Sequence, residues 1–165
     1  MKTKVLNHTD IESIIKRMAY QIYENNFNDK NITLVGISSR GFEIAKLLKL
    51  QIEEISNLKV NLFELTIDKV SPAAEKIKIV PLLGKLKGSI VIVDDVLNTG
   101  RTLIYAALPF LNIKIDKIQI AVLVDRNHKK FPVFADYKGI ELNTTFQEHV
   151  SVELNKKKQF EVYLQ

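Results

Sequence analysis

The chain contains no cysteine. Disulfides, thiolate nucleophiles and cysteine-based metal sites are therefore excluded, a composition that suits a reducing cytosol. Histidine is scarce too. His8, His128 and His149 stand far apart, with no HExxH-like spacing, which argues against a zinc site. No run of about 18 apolar residues occurs, so no membrane-spanning helix is expected. The opening MKTKVLNHTDIES has no apolar run of signal-peptide length, so a cytoplasmic chain is expected. Two familiar nucleotide fingerprints are also missing. GISSRGF, residues 36–42, has Phe42 where a Walker loop needs Lys, and GxGxxG does not occur.

What is there suits one ordinary domain spanning residues 1–165. Hydrophobic residues make up 46%, enough for a core, and the net charge of +5 is compatible with phosphorylated ligands or RNA, as with any Lys-rich globule. TDIE reads as a capping box, Thr9 with Glu12, opening a helix whose apolar residues from Ile11 to Tyr23 recur at 3-4 spacing. ITLVGI (32–37), SIVIVDD (89–95) and DKIQIAVLVD (116–125) are continuous apolar runs, the mark of strands covered on both faces. VNLFELTI (60–67) reads as a further strand. Helices are expected from Phe42 to about Ile55 and from about Thr102 to Leu111. Residues 68–88 are the least regular, with Pro72, Pro81, Gly84 and Gly88, and read as a mobile excursion holding one short strand at 77–80. VSVEL and FEVYL alternate in polarity around NKKKQ and read as a hairpin. Strands alternating with amphipathic helices predict an α/β fold with a mainly parallel sheet, whose ligands bind beyond the carboxyl ends of the strands. Three loops lie there: 37–41, 94–102 and 125–130.

The stretch VDDVLNTGRT (93–102) puts two carboxylates before a loop suited to an anion. Backbone amides at a helix start point outward, and the helix end carries about half a positive charge. Thr99 and Thr102 add hydroxyls, and Gly100 permits a close approach or a positive φ. A phosphate is the natural occupant. Asp94 and Asp95 would oppose a bare phosphate, yet they fit a sugar diol, which donates hydrogen bonds to carboxylates, or a Mg2+ shell. A phosphorylated sugar meets both demands.

VIVDDVLNTGRT resembles the phosphoribosyl-pyrophosphate (PRPP) signature of type I phosphoribosyltransferases. VGISSRGFEIAKLL resembles the family's pyrophosphate loop and the helix after it. IQIAVLVDRNHKKFPVFADYKG is similar to the pyrimidine-operon attenuator/uracil phosphoribosyltransferases. The resemblance implies the family's fold, with a small irregular hood and a flexible loop, and a dimer. It also implies transfer of phosphoribose from PRPP to a nucleobase, with Mg2+ bound. Uracil is the expected acceptor, giving UMP and pyrophosphate. Alternatives are a nucleotide-sensing RNA-binding regulator of pyrimidine genes with little activity, and a hypoxanthine/guanine transferase.

By the same resemblance Asp94, Asp95 and Arg40 are the catalytic residues, and the two acids hold the ribose hydroxyls, directly or through water and Mg2+. Leu97, Asn98, Thr99, Gly100, Arg101 and Thr102 cradle the 5′-phosphate. Ser38, Ser39, Arg40 and Gly41 bind pyrophosphate, with Gly41 allowing an unusual backbone conformation. Asp125, Arg126 and Tyr137 form the base site, Tyr137 by stacking; core filling for Tyr137 and an Asp125–Arg126 ion pair are the competing reading. Asn98 stands where purine-using relatives often carry an Asp that takes a proton from the base, which favours a pyrimidine. The family's loop Arg has no counterpart in TIDKVSPAAEK, where Lys69 or Lys76 can supply the charge. For RNA, Arg17, Arg126, His128, Lys129 and Lys130 are the candidate basic face, although Asn127 and Phe134 replace residues that are commonly Gly and Arg in the family.

Overall fold

The computed structural model describes residues 2–71, 76–81, 84, 86–145, 147–155 and 159–165. In chain order the elements are β1 (Thr3–Leu6), α1 (His8–Asn26), β2 (Asn31–Ile37), α2 (Arg40–Ile55), β3 (Lys59–Thr66), β4 (Lys78–Val80), β5 (Ser89–Leu97), α3 (Arg101–Leu111), β6 (Lys117–Asp125), β7 (Tyr137–Glu141), β8 (Val150–Leu154) and β9 (Phe160–Leu164).

Six strands form the main sheet in the order β4-β3-β2-β5-β6-β7. All neighbours run parallel except β4, which lies antiparallel to β3 at the edge. The apolar runs become its centre: β2 is buried from Ile32 to Ile37, and β5 is buried at every position except Val96. Successive side chains of a strand point to opposite faces. Ile32, Leu34, Val91 and Val93 thus pack with Ile15, Met18, Ile44 and Leu48 of α1 and α2 on one face. Val35, Ile37, Ile90 and Ile92 pack with Leu103, Ala106 and Phe110 of α3 on the other. From β2 the chain moves to β3 and β4 on one side, then returns to the other side of β2 as β5. Open α/β sheets form their ligand crevice at such a reversal, beyond the carboxyl ends of the strands.

A second sheet, β1-β9-β8, is antiparallel. It forms the hood, and it is regular rather than irregular: its Val150, Val152, Phe160 and Val162 join the core cluster of α1 and α2. The β8–β9 hairpin forms as expected from the alternation, with the Asn155 amide donating to the Gln159 carbonyl at 3.0 Å; residues 156–158 at its tip lie outside the described residues. The expectation of a mobile excursion at 68–88 falls partly on residues 72–75, 82, 83 and 85, also outside them. Strand β1 has no strong sequence signature and gains its place by pairing with β9 and packing Val5 and Leu6 against the core.

The cap of α1 differs from the TDIE reading. Asn7, not Thr9, is the N-cap: its Oδ1 accepts from the Asp10 amide at 3.0 Å, and the Asp10 carboxylate accepts from the Asn7 amide at 2.9 Å. Asn is at least as good a cap as Thr, and Asp10 closes the box earlier in the chain than Glu12 could. Glu12 faces His8 instead.

Candidate active site

Beyond the end of β2 and along the carboxyl end of β5, Arg40 and residues 94–103 meet. The cavity there holds about 610 Å³ and is lined by Arg40, Lys69, residues 94–103, Arg126, Lys130, Phe131, His149 and Val150. Sequence-distant segments thus converge on one hollow.

Asp94 and Asp95 form its floor, with side chains only 3% and 7% exposed. Each also meets the amide of the next residue: the Asp94 Oδ1 accepts from the Asp95 amide at 2.9 Å and the Asp95 Oδ1 accepts from the Val96 amide at 3.0 Å. Two cations answer them. The Lys69 ammonium donates to Asp94 Oδ1 at 2.8 Å and to Asp95 Oδ1 at 3.2 Å. Arg40 Nη1 donates to Asp95 Oδ2 at 3.3 Å. Burial, and then the neighbouring Asp95 charge, push the Asp94 carboxyl up to about 7 against the pull of Lys69. Burial raises Asp95 as well, but Lys69, the hydrogen bond from Asp94 and Arg40 together hold it below the usual carboxylate range. Burial lowers Lys69, and the two carboxylates outweigh that and raise it, so it stays a cation. Adjacent buried acids cannot both ionise freely, and their environments separate them.

The loop at 97–102 follows. Gly100 caps α3 with φ +86°, a left-handed conformation that glycine adopts without strain. The Arg101 amide donates to Thr99 Oγ1 at 3.3 Å, and the first helical bond runs from the Ile104 amide to the Gly100 carbonyl at 3.1 Å. First-turn amides such as those of Thr102 and Leu103 have no acceptor within a helix, so they are available to an anion. The amides of Lys130 and Phe131 both donate to the Thr99 carbonyl, at 2.9 and 3.1 Å, and fasten the back of the loop. Leu97, Asn98, Thr99, Gly100, Arg101 and Thr102 all line the cavity.

Arg40 is the first residue of α2, and the preceding Ser38–Ser39 peptide is cis. Ser38 donates its amide to the Leu65 carbonyl at 2.9 Å. Ser39 lines a neighbouring hollow that shares Arg40 and includes Glu43 and Glu153. Gly41 plays a different part from the one expected. Its backbone is helical, and its lack of a side chain is needed for closeness: a Cβ there would lie 2.5 Å from the Val93 carbonyl oxygen and 3.0 Å from Asp94 Cα. It lets the start of α2 press against β5 at the point where the acids begin to emerge, which carries Arg40 to Asp95.

The expected base site is partly corrected. Tyr137 is 1% exposed and fills the core. It opens β7 opposite Ala121, four residues before Asp125, about 13 Å back along the strand. Its hydroxyl accepts from Gln119 Nε2 at 2.7 Å. Asp125 is also withdrawn: its carboxylate takes Lys129 at 2.9 and 3.0 Å and the Asn127 amide at 2.9 Å. No Asp125–Arg126 ion pair forms among the described contacts. Arg126 does line the cavity, though buried, and it ties down the 144–148 segment through Thr144 Oγ1 at 3.1 Å and the Glu148 carbonyl at 2.6 Å. Asn127 adopts φ 61°, a conformation Asn tolerates nearly as Gly does.

Of the candidate basic face, Arg17 holds the carbonyls of Lys138 and Gly139, Arg126 is buried and Lys129 is bound to Asp125. Lys130 lines the cavity. Phe131 and His149 were missed as cavity residues. Phe131 sits beside Lys130 with no special spacing, and His149 arrives from the hood by tertiary folding alone. Among the described residues no helix is long and apolar enough to cross a membrane.

The chain matches a family described as the phosphoribosyl transferase domain over residues 1–157. It is 34% identical over 168 residues to the Bifunctional protein PyrR of Oceanobacillus iheyensis, covering 96% of this chain and 93% of that one. To the protein of the same name in Clostridioides difficile it is 36% identical over 164 residues, covering 93% and 91%. Among solved structures it is similar to a hypoxanthine-guanine phosphoribosyltransferase from Bacillus anthracis, with a TM-score of 0.71 and 19% identity over 87% of this chain and 84% of that one. A hypoxanthine phosphoribosyltransferase from Trypanosoma cruzi, in complex with the product IMP, gives a TM-score of 0.73 at 18% identity over 87% and 78%. At such identities the likeness to these structures is one of fold.

Proposed function

The chain belongs to the phosphoribosyltransferase family, and from that premise we propose that it transfers 5-phosphoribose from PRPP to uracil, giving UMP and pyrophosphate. The observation that carries the reading is the buried Asp94–Asp95 pair directly preceding the open helix start at Gly100. A sugar phosphate is the ligand that answers both. Its 5′-phosphate takes the loop at 97–102, and its diol takes the acids. Arg40 stands at the edge of the cavity, where the diphosphate departs.

Chemistry in this site is positioning and charge stabilisation. As the bond from C1′ to the pyrophosphate oxygen breaks, positive charge gathers on the ribosyl ring and negative charge on the leaving group. The carboxylates stabilise the first, and Arg40 the second. The base nitrogen bonds to the freed C1′ and gives up its N–H proton, which the departing pyrophosphate takes, so no covalent enzyme intermediate is required.

Mg2+ fits the donor set. Among the described residues no group of three or more His, Cys, Asp or Glu converges, and Mg2+ is commonly held by one or two carboxylates together with substrate phosphates and water. Asp94 and Asp95 would be those carboxylates, through water or the ribose hydroxyls. The ion would neutralise charge on the departing pyrophosphate.

The acceptor is assigned to uracil on two grounds. Asn98, which lines the cavity, offers no carboxylate to a purine nitrogen, and the LVDRNH…ADYKG stretch resembles the pyrimidine-linked branch. A panel of uracil, hypoxanthine, guanine, adenine and orotate, each with PRPP and Mg2+, tests this: UMP formation is expected to exceed all other products. A purine nucleotide as main product would reverse the assignment. The curated relatives carry the word bifunctional in their name, and a second, RNA-binding role is the alternative. Inactivity on every base, with RNA affinity falling steeply as salt is added, would move the function there.

A further inference from the structure

We infer that Lys69 guards the acidic pair: its ammonium stands where a sugar diol or a divalent cation would bind, and on loading it moves to the phosphate oxygens of the incoming sugar diphosphate. The inference rests on the proposed ligand for its second half and on geometry alone for its first.

Lys69 lies just past β3 and lines the cavity, and its side chain is 42% exposed. The two carboxylates it holds are nearly sealed from water. Adjacent buried carboxylates without a cation between them are costly. Arg40 does not fill that need, because it reaches Asp95 alone, at 3.3 Å. Lys69 touches the Oδ1 of both acids, so a ligand that takes those two atoms must displace it.

The displaced ammonium has somewhere to go. It lines the same cavity as Arg40 and Thr102, and a diphosphate brings more negative charge into reach than the two acids offered. Exchange of partners keeps charge balanced in both states. Lysine suits such an exchange, because its ammonium is a compact charge with three rotatable donors on a flexible stem, whereas a guanidinium forms a fixed fork that locks onto a carboxylate. The segment carries no Arg. The free protein should therefore hold divalent cations weakly and take metal and sugar diphosphate together.

Mn2+ binding, followed by electron paramagnetic resonance on the free protein, reads the guard without any substrate. Lys69→Met is expected to bind Mn2+ about tenfold tighter than the wild type and, by calorimetry, PRPP about tenfold more weakly. Lys16→Met, the same charge change at an exposed site on α1, should match the wild type in both, and Lys69→Arg should keep Mn2+ binding weak. Equal Mn2+ affinity in Lys69→Met and wild type would overturn the guard. Tighter Mn2+ with unchanged PRPP affinity would overturn the transfer to phosphate. A wild type that ignores PRPP would refute the proposed ligand, and the Mn2+ comparison would still decide whether Lys69 screens the acids.

Discussion

Asn26, Gln119 and Tyr137 are as deeply buried as Asp94 and Asp95, at 2%, 9% and 1% exposed against 2% and 5%, yet the two groups are built for different ends. The first lies near the start of β6 and β7. Its members are neutral and bind one another: Gln119 donates to the Tyr137 hydroxyl at 2.7 Å, and Asn26 Nδ2 donates to Gln119 Oε1 at 3.1 Å and the Ile22 carbonyl at 2.7 Å. Burial raises the Tyr137 hydroxyl above its ordinary range despite these bonds, so the phenol stays neutral. The second group lies in the carboxyl-terminal half of β5. It is charged, and its counter-charges, Arg40 and Lys69, come from side chains half open to water. A sealed neutral network fixes packing. Buried charges whose partners sit at a cavity wall can trade those partners for a ligand.

Asp95→Asn breaks the second group with the largest expected effect. Product formation from PRPP should fall about 10²–10³-fold, the scale for losing one preorganised electrostatic contact, while circular dichroism and the unfolding midpoint stay near wild type. Unchanged turnover would remove Asp95 from the chemistry. Tyr137→Phe breaks the first group in the opposite manner. It deletes the hydroxyl that Gln119 donates to and should cost about 1–3 kcal/mol of stability in urea titrations, with kcat and the KM for the base unchanged. A rise in that KM with stability intact would return Tyr137 to the binding site.

The contrast also separates what was legible in the sequence from what was not. The α/β fold followed from the apolar runs at 32–37, 89–95 and 116–125, because a strand covered on both faces admits little else. That 94–102 would line the cavity was legible because its parts are contiguous: acids, Gly100, hydroxyls and a helix start lie within nine residues of chain. Tyr137 was misread because a buried aromatic and a stacking aromatic look alike in sequence; strand register alone, Tyr137 against Ala121, sets it in the core. Gly41 was marked as special, but its reason, the closeness of β5, is tertiary. His149 and Phe131 carry no local signal for the cavity, and Lys69 was visible only as one of two spare charges. Its grip on both acids depends on how β3 and β5 flank β2.

The finest test of the comparison is the pH dependence of stability in the ligand-free protein. Asp94 is raised from 3.8 to about 7, first by burial and then by Asp95. A carboxyl whose folded pKa lies above its unfolded one favours the folded state when protonated. Its contribution is therefore present below about 3.8 and is lost as pH rises through about 7. Asp95 acts in the reverse sense: it is lowered, so its contribution is present above the ordinary carboxylate range and is lost as pH falls through its folded value. The two windows lie apart. Urea titrations across about pH 4 to 7 should show wild type losing stability relative to Asp94→Asn, which has no proton to release. Below that window the acid limb set by Asp95 should remain in both proteins. Parallel profiles from end to end would mean that Asp94 titrates like a surface carboxylate, and the difference in kind between the two buried groups would disappear.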